Sequence, residues 1–186
     1  MKRWIPIVLI PLFLAGCRLQ NHSMDKLLSF RENLLQSSTI TFDANITADY
    51  GEGYYAFQMH CIADKNGDLS FRVLSPDSIQ GIEGTVSQSD GHLTFDNHVL
   101  LFKTQDQLRL SPVCTPWVIV RALRSGYIAS CGITDTGYLA VVDDTYKENN
   151  LSLEIIFIED IPTSVEIFWN QARILSVEIS NFQYVA

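Results

Sequence analysis

From Ile40 onward apolar and polar positions alternate without a break: Ile40, Phe42, Ala44, Ile46, Ala48 and Tyr50 fall on one side, and Thr41, Asp43, Asn45 and Thr47 on the other. A period of two predicts a strand with one dry and one wet face. The same period recurs in "YYAFQMHCIA", where Tyr55, Phe57, Met59 and Cys61 share a side, and in "LSFRVL", where Leu69, Phe71 and Val73 do. Asn66-Gly67 lies between those two runs and signals a hairpin, because both residues tolerate the positive φ of a tight turn. The segment "SPDSIQGIEGTVS" breaks at Pro76 and resumes around Ile82, and "HLTFDNHVLLF" turns back near Asp96-Asn97. Runs at 127–133, 137–143, 151–158, 164–169 and 173–182 complete the series.

Two segments follow a helical period instead. In "SMDKLLSFRENLLQS", Leu27, Leu28, Phe30, Leu34 and Leu35 recur at mostly helical spacing, with Ser23 or Asp25 as the start signal. In "SPVCTPWVIVRALRSG", Thr115 is the expected N-cap, Pro116 sits in the first turn and Gly126 stops the helix, which turns Trp117, Val120 and Leu123 inward. The expectation is an α+β chain, mainly β. One curved antiparallel meander of about nine to eleven strands forms a half-barrel, covered by the N-terminal and mid-chain helices. A single sheet that long curls, which leaves a concavity for the helices. No repeat, low-complexity stretch or linker interrupts residues 24–186, which read as one domain.

The first residues follow neither pattern. Lys2 and Arg3 precede an apolar stretch over 4–14, then small Ala15 and Gly16. This is the layout of a signal peptide over 1–16. Pro6 and Pro11 interrupt a run already short of the ~20 apolar residues of a spanning helix. Leu14-Ala15-Gly16-Cys17 resembles the lipobox of bacterial lipoproteins. That resemblance implies cleavage before Cys17 and its lipidation with acyl chains of the palmitate kind. Residues 17–23 then form a polar tether at the extracytoplasmic face. In a one-membrane cell the anchor sits in the plasma membrane. In a two-membrane cell the outer membrane is expected, since Arg18 is no retention aspartate.

Charge narrows the partners. The 186-residue chain has a formal net charge of −8, two units more negative once Lys2 and Arg3 leave with the leader. Nucleic acid needs clustered Lys and Arg, and so does electrostatic adhesion to anionic lipid heads. Both are excluded, so the lipid on Cys17 is the expected contact with the membrane. Beyond it, Cys61, Cys114 and Cys131 permit at most one internal disulfide. A Cys114–Cys131 bridge is nearest in sequence and would contribute about 3 kcal/mol by loop closure. The alternative is three buried thiols acting as small hydrophobes.

Three stretches carry a resemblance to the family of periplasmic lipoprotein carriers and their relatives. "FRVLSPDSIQGIEGTV" is similar to that family's strand, Pro corner and following strand. "LSPVCTPWVIVRALRSG" stands where the family places a helix-containing excursion, and "IPTSVEIFWNQARILSVEISNF" resembles its paired last strands. The resemblance implies an open half-barrel covered by helices. It leaves the role open, because the fold serves carriers, receptor lipoproteins, envelope-stress regulators and a clostridial spore-germination lipoprotein that partners an amidase.

GxSxG, HExxH and Walker A motifs are all missing, and no catalytic, cofactor or metal site is expected. His22, His60, His92 and His98 are scattered, although a turn near Asp96 would bring His92 and His98 toward one another. "DKNGD" has Asp64, Asn66 and Asp68 at alternate positions but lacks the distal Glu of a calcium loop. It reads as a hairpin tip, and Asp143, Asp144 and Glu148 as a wet loop. Tyr55, Phe57, Phe71, Trp117 and Ile119 are the residues placed to line the space between sheet and helices. If the gap stays open they form a dry slot for acyl chains; if the helices fill it they are core. Two non-catalytic roles follow: scaffolding of an envelope partner such as a cell-wall hydrolase, or carriage of lipid.

Overall fold

In the computed structural model, which describes residues 14–49, 51, 53–96, 98–103, 111–146 and 150–185, the alternating runs form one antiparallel sheet of 11 strands. The first six strands are β1 (Thr39–Asp49), β2 (Tyr54–Asp64), β3 (Leu69–Ser75), β4 (Glu83–Val86), β5 (Asp90–Phe95) and β6 (His98–Lys103). A second set follows: β7 (Tyr127–Ile133), β8 (Tyr138–Asp143), β9 (Ser152–Ile158), β10 (Ile161–Trp169) and β11 (Ala172–Val185). Their spatial order is β6-β5-β4-β3-β2-β1-β11-β10-β9-β8-β7. This departs from an uninterrupted meander. The chain starts at the centre, runs out to the β6 edge and crosses to the opposite edge at β7. From there it returns so that β11 pairs with β1.

That crossing contains α2 (Thr115–Ser125). Thr115, Pro116, Trp117, Val118, Ile119, Val120, Ala122 and Leu123 are all buried, so burial extends well beyond the expected Trp117, Val120 and Leu123 face, while Arg121 and Arg124 stay half-buried and Ser125 exposed. Cys114 is the N-cap, one residue before the expected Thr115, and Pro116 falls in the first turn. Gly126 ends the helix in an extended conformation, φ −66° and ψ 158°. Its glycine is required by space: a Cβ there would lie 2.6 Å from the Asp143 carbonyl oxygen and 2.7 Å from that of Ala122.

The first helix, α1, spans Leu14–Gln36. It therefore includes residues 17–23, expected as a tether, and Ser23 is already buried, its hydroxyl hydrogen-bonded to Cys131 on β7. Leu27, Phe30 and Leu34 point inward, while Leu28 and Leu35 stay exposed. Phe30 meets Phe157 edge-on at 5.0 Å between centroids. No helix among the described residues is long and apolar enough to cross a membrane.

The dry face of the sheet carries Phe42, Ile46, Met59, Leu69, Ile155, Phe157 and Ile167 against the two helices. Register shifts between Thr41 and Asp43, Gln58 and Met59, Ile128 and Ser130, Pro162 and Ser164, and Ile167 and Phe168 interrupt the ladders. Such bulges add local bend and twist, which suits one long sheet wrapping two helices. At the β2–β3 turn the Asp64 carboxylate accepts the backbone N–H groups of Asn66 (2.8 Å) and Asp68 (3.0 Å), while Gly67 takes φ +86°. "DKNGD" is a hairpin tip.

Candidate functional site

The residues expected to line an interior slot divide four to one. Phe57 on β2 and Phe71 on β3 point to the dry face, Trp117 and Ile119 come from α2, and all four are buried. Tyr55 does not join them: it lies near the start of β2, 56% exposed, with its ring over Gly53.

Cys61, Cys114 and Cys131 are free, buried thiols, and the Cys114–Cys131 disulfide is not formed. Burial pushes the Cys114 thiol up to about 12. It raises Cys61 further, with the charge of Asp43 acting in the same direction. Burial also raises Cys131, partly offset by hydrogen bonds from Ser23 and the Gly132 backbone. A thiol kept protonated is neither nucleophile nor ready metal ligand.

The wet face carries His60 and His92. His60 Nδ1 lies 2.7 Å from Asp43 Oδ1, and Asn181 donates to the other Asp43 oxygen at 2.7 Å. Burial works against the Asp43 charge, but these hydrogen bonds and the nearby imidazole outweigh it and hold the carboxyl below its usual range. His92 and His98 do not meet. His92 faces Leu101 and hydrogen-bonds Thr85 Oγ1 at 2.8 Å, whereas His98 faces Phe95. Among the described residues no group of three or more His, Cys, Asp and Glu side chains is placed to hold a metal.

Among the described residues, an exposed apolar run lies on the β6 edge. Val99 (62% exposed), Leu100 (61%) and Leu101 (77%) are consecutive, so they project from both faces of the outermost strand. The signal was present in "HVLLF", where alternation fails for three positions in a row; a one-faced strand would have a polar residue at one of them. The opposite edge differs, because α1 packs on β7.

No family model and no curated protein matches the chain. Solved structures do. One is a LolA superfamily protein from Nitrosomonas europaea, with TM-score 0.51, 8% identity and coverage of 88% of this chain and 94% of that one. Another is a DUF1329 family protein from Desulfovibrio piger, with TM-score 0.51, 8% identity and coverage of 89% and 93%. The chain has the LolA-like fold. A structure of the CwlD amidase in complex with the GerS lipoprotein from Clostridioides difficile also aligns over 100% of both chains, at TM-score 0.44 and 10% identity.

Within this LolA-like frame the helices occupy the concave side, and the described grooves open at the surface. One, of about 300 Å³, lies between α2 and the β2–β3 turn and is bordered by Trp117, Arg121 and Arg124. There the Arg121 guanidinium sits over the Trp117 ring, 5.3 Å from its centroid. The Arg124 guanidinium is already committed to the backbone carbonyls of Leu34 and Lys65.

Proposed function

We propose that this chain is a non-catalytic envelope lipoprotein, a single LolA-like domain held by acyl chains on Cys17 at the outer face of a membrane. It binds a partner protein by accepting an extended strand at the β6 edge, and a cell-wall hydrolase is the partner class to test first. The observation that carries this reading is the run Val99-Leu100-Leu101, exposed on the outermost strand of the sheet. Edges of this kind invite strand addition, and proteins that have no use for one guard it with charge, Pro or a covering element. Here only His98 and Lys103 flank the run. An added strand would take its affinity from main-chain hydrogen bonds and its specificity from side chains set against Val99 and Leu101 on one face and Leu100 on the other. The burial of Phe57, Phe71, Trp117 and Ile119 as core supports this reading over a lipid slot.

Titration of the purified chain with the cell-wall hydrolases of its own organism tests the proposal. Saturable binding is expected, weakened at least tenfold by Leu101→Lys with no loss of thermal stability, because that side chain is outside the core. A stoichiometric acyl lipid in an organic extract of the protein, with no hydrolase bound, would replace this reading by a lipid carrier.

A further inference from the structure

A second surface, on the wet face of the sheet, is built for a different class of ligand. A groove of about 550 Å³ is lined by Asn150, Ser152, Glu154, Phe168, Asn170 and Gln171. Ser152 and Glu154 project from β9 on the same face as Phe168 of β10, since Ser152 pairs with Phe168 and Glu154 with Glu166. Asn150 precedes β9, and Asn170-Gln171 forms the β10–β11 turn, so all six gather at one end of the strands.

The polar members of this set are unused. Among the described residues, no side-chain hydrogen bond or ion pair engages Asn150, Ser152, Glu154, Asn170 or Gln171. The contrast with Glu166, next to Glu154 across the ladder, is plain: it accepts from Ser176 Oγ at 2.9 Å and pairs with Arg173 at 3.3 Å. The turn itself holds two non-glycine residues at positive φ, Asn170 at 50° and Gln171 at 66°. Glycine is the cheaper residue there; a Gln keeps an amide at the groove at some cost to the backbone.

The chemistry selects among ligands. Among the described residues no Lys or Arg lines the groove, and Glu154 repels anions, which disfavours a phosphate or carboxylate group. One aromatic ring among five polar side chains does not suit an acyl chain. Glu154 is the one carboxylate among the described lining residues, too little charge for a cation in so wide a space. What remains is a neutral, hydroxyl-rich molecule. Each amide offers a donor beside an acceptor in one plane, matching adjacent hydroxyls, and the carboxylate accepts from hydroxyls as well. The Phe168 ring face takes the C–H side of a pyranose.

We infer that this groove binds an oligosaccharide. The source of the glycan, the cell wall, rests on the proposed envelope anchoring; the site itself does not. β10 is 9 residues long, so the groove lies roughly 30 Å from the far end of that strand. At that far end Asp160 is ion-paired with Lys26 of α1 at 3.0 Å, close to the helical turns that follow Cys17. The groove thus faces away from the anchor.

The test uses the full chain in detergent with two probes, soluble N-acetylglucosamine tetrasaccharide and purified peptidoglycan sacculi. Saturable binding of the tetrasaccharide and co-sedimentation with sacculi are expected. The double variant N170G/Q171G, which removes both amides while easing the turn, and Asn150→Ala should each weaken binding at least tenfold without lowering Tm. Binding of a soluble envelope glycan of another composition, lost in the same variants, would keep the site and move its source. Failure to bind any glycan in a panel, or binding unchanged in both variants, overturns the inference. Leu101→Lys, which disrupts the proposed partner edge, should leave glycan binding intact, so the two proposals fail separately.

Discussion

Burial decides the chemistry of the three body cysteines more than their number does. An odd count left one bridge or none open; the fold holds Cys61, Cys114 and Cys131 as separate protonated thiols. Their shifts make a stability prediction with a definite sign. An unfolded Cys114 loses its proton near 9.0, whereas the folded one keeps it to about 12. Between those values the unfolded state binds fewer protons, so stability falls as pH rises, by about 1.4 kcal/mol per pH unit for each such group. Burial of Tyr184, raised from 10.0 to about 12, acts the same way over the upper part of the window. Thermal melts should be flat near neutrality and decline above about pH 9, with a shallower decline in Cys114→Ala. A thiol reagent should find the three body cysteines only after denaturation; reaction in the native state at neutral pH would contradict this burial.

Between elements, the least legible feature is a reciprocal latch of the two helices. Arg31 of α1 donates to the carbonyls of Leu123 (2.7 Å) and Ala122 (3.2 Å) near the end of α2. Arg124 of α2 donates to Leu34 near the end of α1 at 3.3 Å and to Lys65 at the β2–β3 tip. Each arginine reaches carbonyls in the last turns of the other helix and meets the negative end of its dipole, the Ala122 oxygen accepting from the Gly126 N–H as well. The helices themselves could be read from local periodicity and breakers. The latch could not, because Arg31 and its acceptors are about ninety residues apart and nothing local marks the pair. Arg31→Ala should cost about 1.5–3 kcal/mol in urea unfolding, the range for hydrogen bonds from a charged donor. Arg31→Lys should recover only part, since a single ammonium does not reproduce a fork spanning two carbonyls. A loss below 0.5 kcal/mol would show the latch to be incidental.

Over the whole molecule, topology separates anchor, edge and groove. Because β1 and β11 meet in the middle of the sheet, the chain's excursion leaves β6 and β7 as the two edges. Packing of α1 on β7 leaves β6 the more open of them. The anchoring reading makes its own prediction at this scale. Cys17→Ala should move the protein from the membrane fraction to the soluble one and abolish labelling by a palmitate analogue, while the thermal transition of the folded part stays unchanged. A variant that remained membrane-bound would remove the lipid from the account.

Strand positions, the hairpin at Asn66-Gly67, both helices and the fold class were written in the sequence, because a period of two or 3.6 and the turn residues act over a few positions. The burial of Phe57 and Phe71 follows the same local rule, because a side chain's face follows from its parity along the strand. The exposure of Tyr55 was not legible, because it has the same strand parity as the buried Phe57. The pairing of β1 with β11, the extent to which α2 is buried, the Arg31–Arg124 latch and the gathering of Asn150 with Asn170 and Gln171 were decided only in three dimensions. Each joins residues far apart in the chain, and such contacts are selected by the burial of the whole sheet, not by any local preference.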